Sequence, residues 1–397
     1  MSSSSPSRTD CLAETVAGRP LKVAVLHEWL VVRGGAELVL EEILMLFPNA
    51  DVFTLVRDIS DEAFPALKGR KITTSFIQKL PFGRTKYRAY LALMPLAIEQ
   101  FDVSGYDLVV SSSYAVTKGI LTGPDQLHIS YVHSPIRYAW DLYHSYLKDA
   151  KLTTGFRGLV ARLVLHYIRI WDSRTATGVD HYIANSKYIS RRIRKVYGRC
   201  AEVIYPPVPM GPNKIAERSE NYYFTTARMV PYKKIPLIVE AFSQMPHKKL
   251  IVAGDGPDMK RARRLAGQNI EFVGFVPKDQ LYTYMQKAKA FVYAAEEDFG
   301  IVLLEAQSFG TPVIAYGKGG ALETVVDGRT GVLFRDQTVA DIQDAVDRFE
   351  RAGVTHSPKM IGLHARRFGA EEFRTRFSAF VREKLEVHLS ELGPGTP

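Results

Sequence analysis

Short apolar runs alternate with helix-period segments along nearly the whole chain, and this alternation points to parallel sheets covered by helices on both faces. LKVAVLH (21–27), DLVVSSS (107–113), LHISYVH (127–133) and DHYIAN (180–185) read as buried strands rich in Val, Ile, Leu or Tyr. Between them AELVLEEILMLF (36–47) and SKYISRRIRKVYG (186–198) read as helices, the second with Ser186 as N-cap and Gly198 as terminator. The rhythm breaks at YPPVPMGPNKIAERSE (205–220), where four prolines and a glycine fall within nine residues, and the domain linker is placed there. It resumes with NYYFTTA, KLIVAGDG, AFVYAA and TPVIAY as strands and KIPLIVEAFSQM and IVLLEAQSF as helices.

This gives four expected parts: a polar, Ser-rich disordered tail (1–20), a first doubly wound domain (21–205), a second (206–360), and a closing helical segment (361–397). In the last, Phe373, Phe377, Phe380 and Val381 share one face, and the helix is expected to pack back on the first domain. A length of 397 residues agrees with two domains. With 46% hydrophobic and 24% charged residues and no run of 18 apolar residues, the composition is that of a soluble globular enzyme. The first twenty residues lack the apolar core of a secretory signal, so the chain is expected to stay in the cytoplasm. Cys11 and Cys200 make neither a disulfide framework nor a zinc site. The net charge of +10 is uneven: residues 1–205 hold 26 Lys/Arg against 19 Asp/Glu, the remainder 26 against 23. A basic first half implies an anionic partner, and charge alone leaves a membrane surface, a phosphorylated substrate and a nucleic acid open.

The stretch EEDFGIVLLEAQSFGTP (296–312) lies at a strand's carboxyl edge, where ligands bind in such sheets. Gly300 lets a ligand approach the backbone, and the first-turn amides of the following helix favour a phosphate. Glu305 lies too far inside that helix to cap it. If a helix ran through both Glu297 and Glu305 they would be roughly 12 Å apart, too far for the ~5 Å carboxyl pair of a retaining glycosidase. The acids are expected to hold two parts of one extended ligand, against a plainer reading as helix-start acids. In ARMVPYKKIPLIVEAF (227–242), Arg228 and Lys233 stand in the loop after the strand that opens the second domain. Cations at a helix start oppose its dipole, so stabilising a departing diphosphate explains them better.

In HEWLVVRGGAELVLEEI (27–43), Gly34 and Gly35 join the first strand to the first helix without the GxGxxG fingerprint, and AGDGPDM lacks it too. Hydride transfer is thereby disfavoured. His133 ends a strand at the ligand edge and is a candidate polar contact to a sugar. No Asp-x-Asp, HExxH or Cys/His cluster is present, so no metal is expected. In residues 75–101, Lys79, Arg84, Lys86, Tyr87 and Arg88 interleave with apolar side chains in a way that suits anionic lipid headgroups, or equally a half-buried helix with snorkelling cations. RRIRK (191–195) reads as a solvated helix face.

The Gly-Gly-Ala-Glu loop, Arg228 with Lys233 in ARMVPYKK, and Glu297-x7-Glu305 in EDFGIVLLEAQSFGTPVIA resemble the family 4 retaining glycosyltransferases of the GT-B fold, from about residue 21 over nearly the whole chain. YVHSPIRYAWDLYHSYL, TSFIQKLP, AIEQFDVSGYDLVVSSSYAVTKG and RMVPYKK resemble a bacterial subgroup of mannosyltransferases in O-antigen and exopolysaccharide assembly, acetan-type pathways included. The resemblance implies an α/β GT-B fold, with two Rossmann-like doubly wound domains facing across a cleft, the first for acceptor and the second for sugar nucleotide. It implies GDP-mannose as donor, no metal, and a polyprenyl-diphosphate-linked oligosaccharide such as a cellobiosyl lipid as acceptor. The protein would then be cytoplasmic, peripheral to the inner membrane, with no nucleic-acid partner.

Carried onto these residues, the resemblance makes His133, Arg228, Lys233 and Glu297 catalytic candidates. Arg228 and Lys233 would bind the donor diphosphate, and the amides at Phe299, Gly300 and Ile301 the phosphate and sugar. Glu305 would take the ribose hydroxyls, Glu297 and His133 the transferred sugar, and Gly35 would lie near the donor phosphate. Glu296 and Asp298 depart from the family's usual Ser or hydrophobic neighbours, which leaves sugar selectivity open. Two other readings also stay open: a UDP-sugar donor carrying glucose or N-acetylglucosamine, and a non-catalytic module binding nucleic acid or membrane.

Overall fold

The computed structural model describes residues 15–16, 19–211 and 220–392. The chain forms two compact units, one of residues up to Pro207 together with those from Ala370 on, the other Val208–Gly369.

In the first unit β1 (Val23–Leu30), β2 (Asp51–Arg57), β3 (Ile72–Thr74), β4 (Leu108–Ser113), β5 (Leu127–Val132), β6 (His181–Ala184) and β7 (Ala201–Val203) make one parallel sheet in the order β3-β2-β1-β4-β5-β6-β7. The order reverses between β1 and β4, the switch point at which such sheets open a crevice. Side chains alternate across the sheet: Val23 and Val25 join one core with Val39, Leu40 and Ile43 of α1 (Gly35–Leu46), while Ala24 and Leu26 join another with Phe53 and Met94. Both faces are covered, so the strands read as unbroken apolar runs. The longest helix between strands of this sheet is α2 (Gly155–Arg174); α3 (Lys187–Tyr197) follows β6. Ser186 caps α3 by accepting from the Ile189 amide at 3.1 Å, and Gly198 ends it with φ +66°.

The second unit repeats the plan. β8 (Tyr223–Thr226), β9 (Leu250–Ala253), β10 (Ile270–Gly274), β11 (Ala290–Tyr293), β12 (Val313–Tyr316) and β13 (Gly331–Phe334) are all parallel in the order β10-β9-β8-β11-β12-β13. Its switch point lies between β8 and β11, which lead into α4 (Ile235–Ser243) and α6 (Ile301–Ser308); α5 (Lys278–Lys287) precedes β11. α7 (Pro358–Arg366) packs on α6, and α8 (Ala370–Leu392) belongs to the first unit. Phe373, Phe377, Val381 and Leu385 of α8 enter the same core as Val25 and Tyr131. Each contributes about 1.5–3 kcal/mol through burial.

The expected boundaries differ at the end of the second unit and in the tail. Position 361 falls inside α7, whose Ile361 and Ala365 are buried, so the second unit runs on to Gly369. Residues 212–219 of the expected linker lie outside the described residues, as do 1–14 and 17–18 of the expected tail. The rest of that tail is structured: Thr15–Val16 pairs antiparallel with Arg19–Pro20, and the Arg19 guanidinium holds Asp107 at 2.9 and 2.6 Å.

Candidate functional site

At the carboxyl ends of β8 and β11 the second unit gathers Lys233, Tyr293 and Glu297. Lys233 follows β8 in the loop before α4, Tyr293 is the last residue of β11, and Glu297 lies four residues beyond. Lys233 Nζ donates to Tyr293 Oη at 3.1 Å and forms an ion pair with Glu297 Oε1, while Tyr293 Oη donates to the same oxygen at 2.6 Å. Burial, then the neighbouring Glu297 charge, raises the Tyr293 phenol well above its ordinary range, so it acts as a neutral donor. Arg228 is exposed, and its guanidinium has no hydrogen bond or ion pair among the described residues. The site therefore holds one engaged cation and one available one.

Glu297 is not part of the helix. α6 begins at Ile301 after Gly300, whose φ of +90° suits glycine, so helix rise does not set the Glu297–Glu305 separation. Glu305 on α6 accepts from Tyr282 Oη at 3.4 Å; burial raises its carboxyl above the usual range, opposed by Lys278 and Tyr282. Phe299 and Gly300 are buried and Ile301 is half-buried.

Two glycine pairs hold these loops close. A Cβ on Gly254 would meet the Ala227 carbonyl oxygen at 2.0 Å, and one on Gly256 the Met229 carbonyl oxygen at 2.6 Å. The AGDG glycines thus let the loop after β9 pack on the Arg228 loop, a role other than the dinucleotide fingerprint weighed for them. Gly319 pairs with Glu297 in a parallel bridge, and the Gly320 amide donates to the Glu297 carbonyl at 2.8 Å. A Cβ on Gly320 would lie 2.2–2.4 Å from the Phe299 backbone. Gly320→Ala is therefore expected to displace the Glu297–Phe299 loop and cost about 1–3 kcal/mol, seen as a melting point several degrees lower. An unchanged melting point would contradict it. Sequence reasoning missed Tyr293 and the Gly319–Gly320 pair.

In the first unit the β1–β4 register sets His27 beside Ser112, and His133 follows β5. Glu37 Oε1 lies 3.2 Å from His27 Nε2, His27 Nδ1 lies 3.1 Å from Ser112 Oγ, and Ser112 Oγ lies 2.8 Å from His133 Nε2. Burial and then His27 push His133 down to about 3, so its imidazole is neutral near pH 7. Burial works against the Glu37 carboxylate, but His27 and the Gly34 amide, 2.8 Å away, hold it below its ordinary value. Glu37 accepts from the Gly34 amide at the start of α1, where Gly35 is exposed. Beneath the chain, buried Glu28 accepts from the amides of Tyr114, Ala115, Val116 and Thr117, fixing the loop after β4.

Of the basic and aromatic stretch, Lys79, Arg84, Lys86 and Arg88 are exposed. Tyr87 is not: it is 6% exposed, packed on Trp29 at 4.9 Å between ring centroids, and belongs to the core. RRIRK is likewise not wholly a solvated face, since Arg192 donates to Ser134 Oγ at 2.6 Å and pairs with Asp141.

Residues 33–210 match the family "Glycosyltransferase Family 4" and residues 212–367 the family "Glycosyl transferases group 1". A GDP-mannose-dependent alpha-(1-6)-phosphatidylinositol monomannoside mannosyltransferase of Mycobacterium tuberculosis is 29% identical over 218 residues, 47% of this chain and 55% of that one. The chain spans about half the length of the curated relatives it matches. Among solved structures, sucrose-phosphate synthase of Thermosynechococcus elongatus superposes with a TM-score of 0.67 at 18% identity, covering 92% of this chain and all of that one. HepE of Anabaena in complex with UDP does so with a TM-score of 0.65 at 18% identity, covering 91% and 100%. Two parallel-sheet, Rossmann-like domains with these neighbours make the fold α/β of the GT-B type.

Proposed function

We propose that this chain, a glycosyltransferase family 4 segment followed by a glycosyl transferases group 1 segment, is a retaining mannosyltransferase. It moves mannose from GDP-mannose to a polyprenyl-diphosphate-linked oligosaccharide, such as a cellobiosyl lipid, in exopolysaccharide or O-antigen assembly. It works without a metal, at the cytoplasmic surface of the inner membrane. The observation that carries the reading is the cluster of Lys233, Tyr293 and Glu297 at the ends of β8 and β11, with the unengaged guanidinium of Arg228 on the same loop as Lys233. The mycobacterial relative, named for GDP-mannose, supports the donor.

In the proposed reaction the bond from sugar C1 to the β-phosphate oxygen breaks. The acceptor hydroxyl oxygen bonds to C1 on the same face, and its proton passes to the leaving phosphate. Arg228 and Lys233 neutralise the charge gathering on the departing diphosphate, and α6 amides add their dipole. Glu297 takes hydroxyls of the transferred sugar and Glu305 those of the ribose, and His133 is a polar contact for a sugar hydroxyl.

A UDP-sugar donor is the second reading, because Arg228 and Lys233 address the diphosphate common to both donors. Thermal-shift titration with GDP and UDP, followed by turnover of a sugar-nucleotide panel on membrane extract, separates the two. The expected result is a larger shift with GDP and transfer of mannose. A larger shift with UDP and transfer of glucose or N-acetylglucosamine would replace the donor. Salt-sensitive DNA binding without any turnover would replace the enzyme reading.

A further inference from the structure

Helix α2 has two apolar faces. Gly158, Leu165, Ile168 and Trp171 face the core of the first unit. At about 100° per residue, Phe156, Leu159, Val160, Leu163, Tyr167 and Ile170 fall within a stripe of about 100° on the side away from it, and these six are 42–80% exposed. A monomeric surface rarely leaves such a continuous apolar stripe uncovered.

The charges around the stripe identify the cover. Arg157, Arg162 and Arg174 are exposed along α2, and no acidic residue occurs between 155 and 171. The neighbouring segment is braced against α2: Trp171 Nε1 donates to Glu99 at 2.6 Å, and Leu91 packs on the cluster of Leu165 and Ile168. That segment adds the four exposed cations of residues 79–88 and the exposed Phe82, again with no acid from 75 to 98. A second copy of this chain would set like charges together, at a cost. An anionic surface would relieve them. Among the described residues no helix is long and apolar enough to cross a membrane, but 20 residues of α2 give about 30 Å of helix to lie along one.

We infer that α2, with the adjoining basic segment 79–88, is the surface by which this protein docks on an anionic lipid bilayer, its apolar stripe entering the headgroup boundary. The assignment rests on the reading of a lipid-linked acceptor and places that acceptor's bilayer on a stated face. It relocates the apolar contact from the 75–101 stretch, which supplies charge, to a helix that supplies insertion.

The test is cosedimentation of the full chain with vesicles of phosphatidylcholine alone or mixed with phosphatidylglycerol, without sugar donor, so that a failure to bind is distinguishable from a failure to transfer. Binding is expected only to the anionic vesicles and is expected to weaken with salt. The double variant Phe156→Ser, Leu163→Ser, whose positions are exposed, should keep the melting point and lose binding by about tenfold or more. Arg157→Glu with Arg162→Glu should weaken it as well. Undiminished binding of the Ser variant, equal binding to neutral vesicles, or a dimer in sedimentation that the Ser variant abolishes would overturn the assignment, the last in favour of a second copy.

Discussion

Lys233→Ala is expected to lower turnover with the donor by about 10²- to 10³-fold, while donor affinity changes far less. The difference follows from where charge develops. The diphosphate is anionic throughout, and Arg228, exposed and unengaged, can hold it before reaction. Cleavage of the sugar–phosphate bond adds charge that Lys233 would meet together with Arg228 and the α6 amides in the transition state, so loss of the ammonium is expected to appear in kcat. The scaffold is expected to survive, because the native Tyr293 hydroxyl donates to Glu297 at 2.6 Å independently of Lys233. Single-turnover kinetics with an independent measurement of donor binding check the split. Unchanged turnover with a weakened Kd would make Lys233 a uniform binding residue and remove it from the chemistry.

How far this site could be read in advance varies with the residue. Arg228, Lys233 and Glu297 announce themselves as charges in the loops at strand ends, and Glu305 as a charge inside an apolar helix, where a folded chain tolerates it only for a reason. Tyr293 does not, because in AFVYAA a tyrosine is ordinary strand composition, and only the β11 register puts its hydroxyl beside Lys233. Gly254, Gly256, Gly319 and Gly320 were legible as glycines but not as spacers, since what each must avoid is the backbone of another loop. Of the strands, β2, β3, β7, β10 and β13 were not marked by the apolar runs. β3 and β7 are three-residue edge strands with few fully buried positions, and β10 is another half-exposed edge. α2 escaped for the opposite reason: apolar residues on both faces blur the one-sided periodicity by which amphipathic helices are recognised. Tyr87 was misplaced because a helical stretch rich in cations and aromatics does not say which aromatic turns inward.

Glu37→Gln is expected to reverse the hydrogen-bond polarity of the chain that ends on His133, with a loss of kcat/KM of about tenfold or more. An ionised Glu37 only accepts, so His27 donates from Nε2. In the Nε2–H tautomer of His27, Nδ1 accepts from Ser112, whose oxygen accepts in turn from His133 Nε2–H. His133 is then left with a bare Nδ1 that can accept from a sugar hydroxyl. Glutamine at 37 keeps an oxygen for the Gly34 amide, so the helix cap survives. Its NH2 donates to His27 Nε2, and every proton along the chain shifts to the other side, leaving Nδ1–H of His133 as a donor. Imidazole nitrogen chemical shifts report the tautomer directly and would not move if Glu37 served only to cap α1. The pH profile gives a second check. His133 titrates at about 3, far below the ordinary histidine range, so the native enzyme keeps it neutral from pH 8 down to 5 and shows no acid limb from it. The unfolded chain takes up that proton near pH 6.5, so this residue lowers folding stability as the pH falls from there towards 3. An unaltered tautomer together with unaltered kcat/KM in the Gln variant would remove Glu37 and His27 from the site.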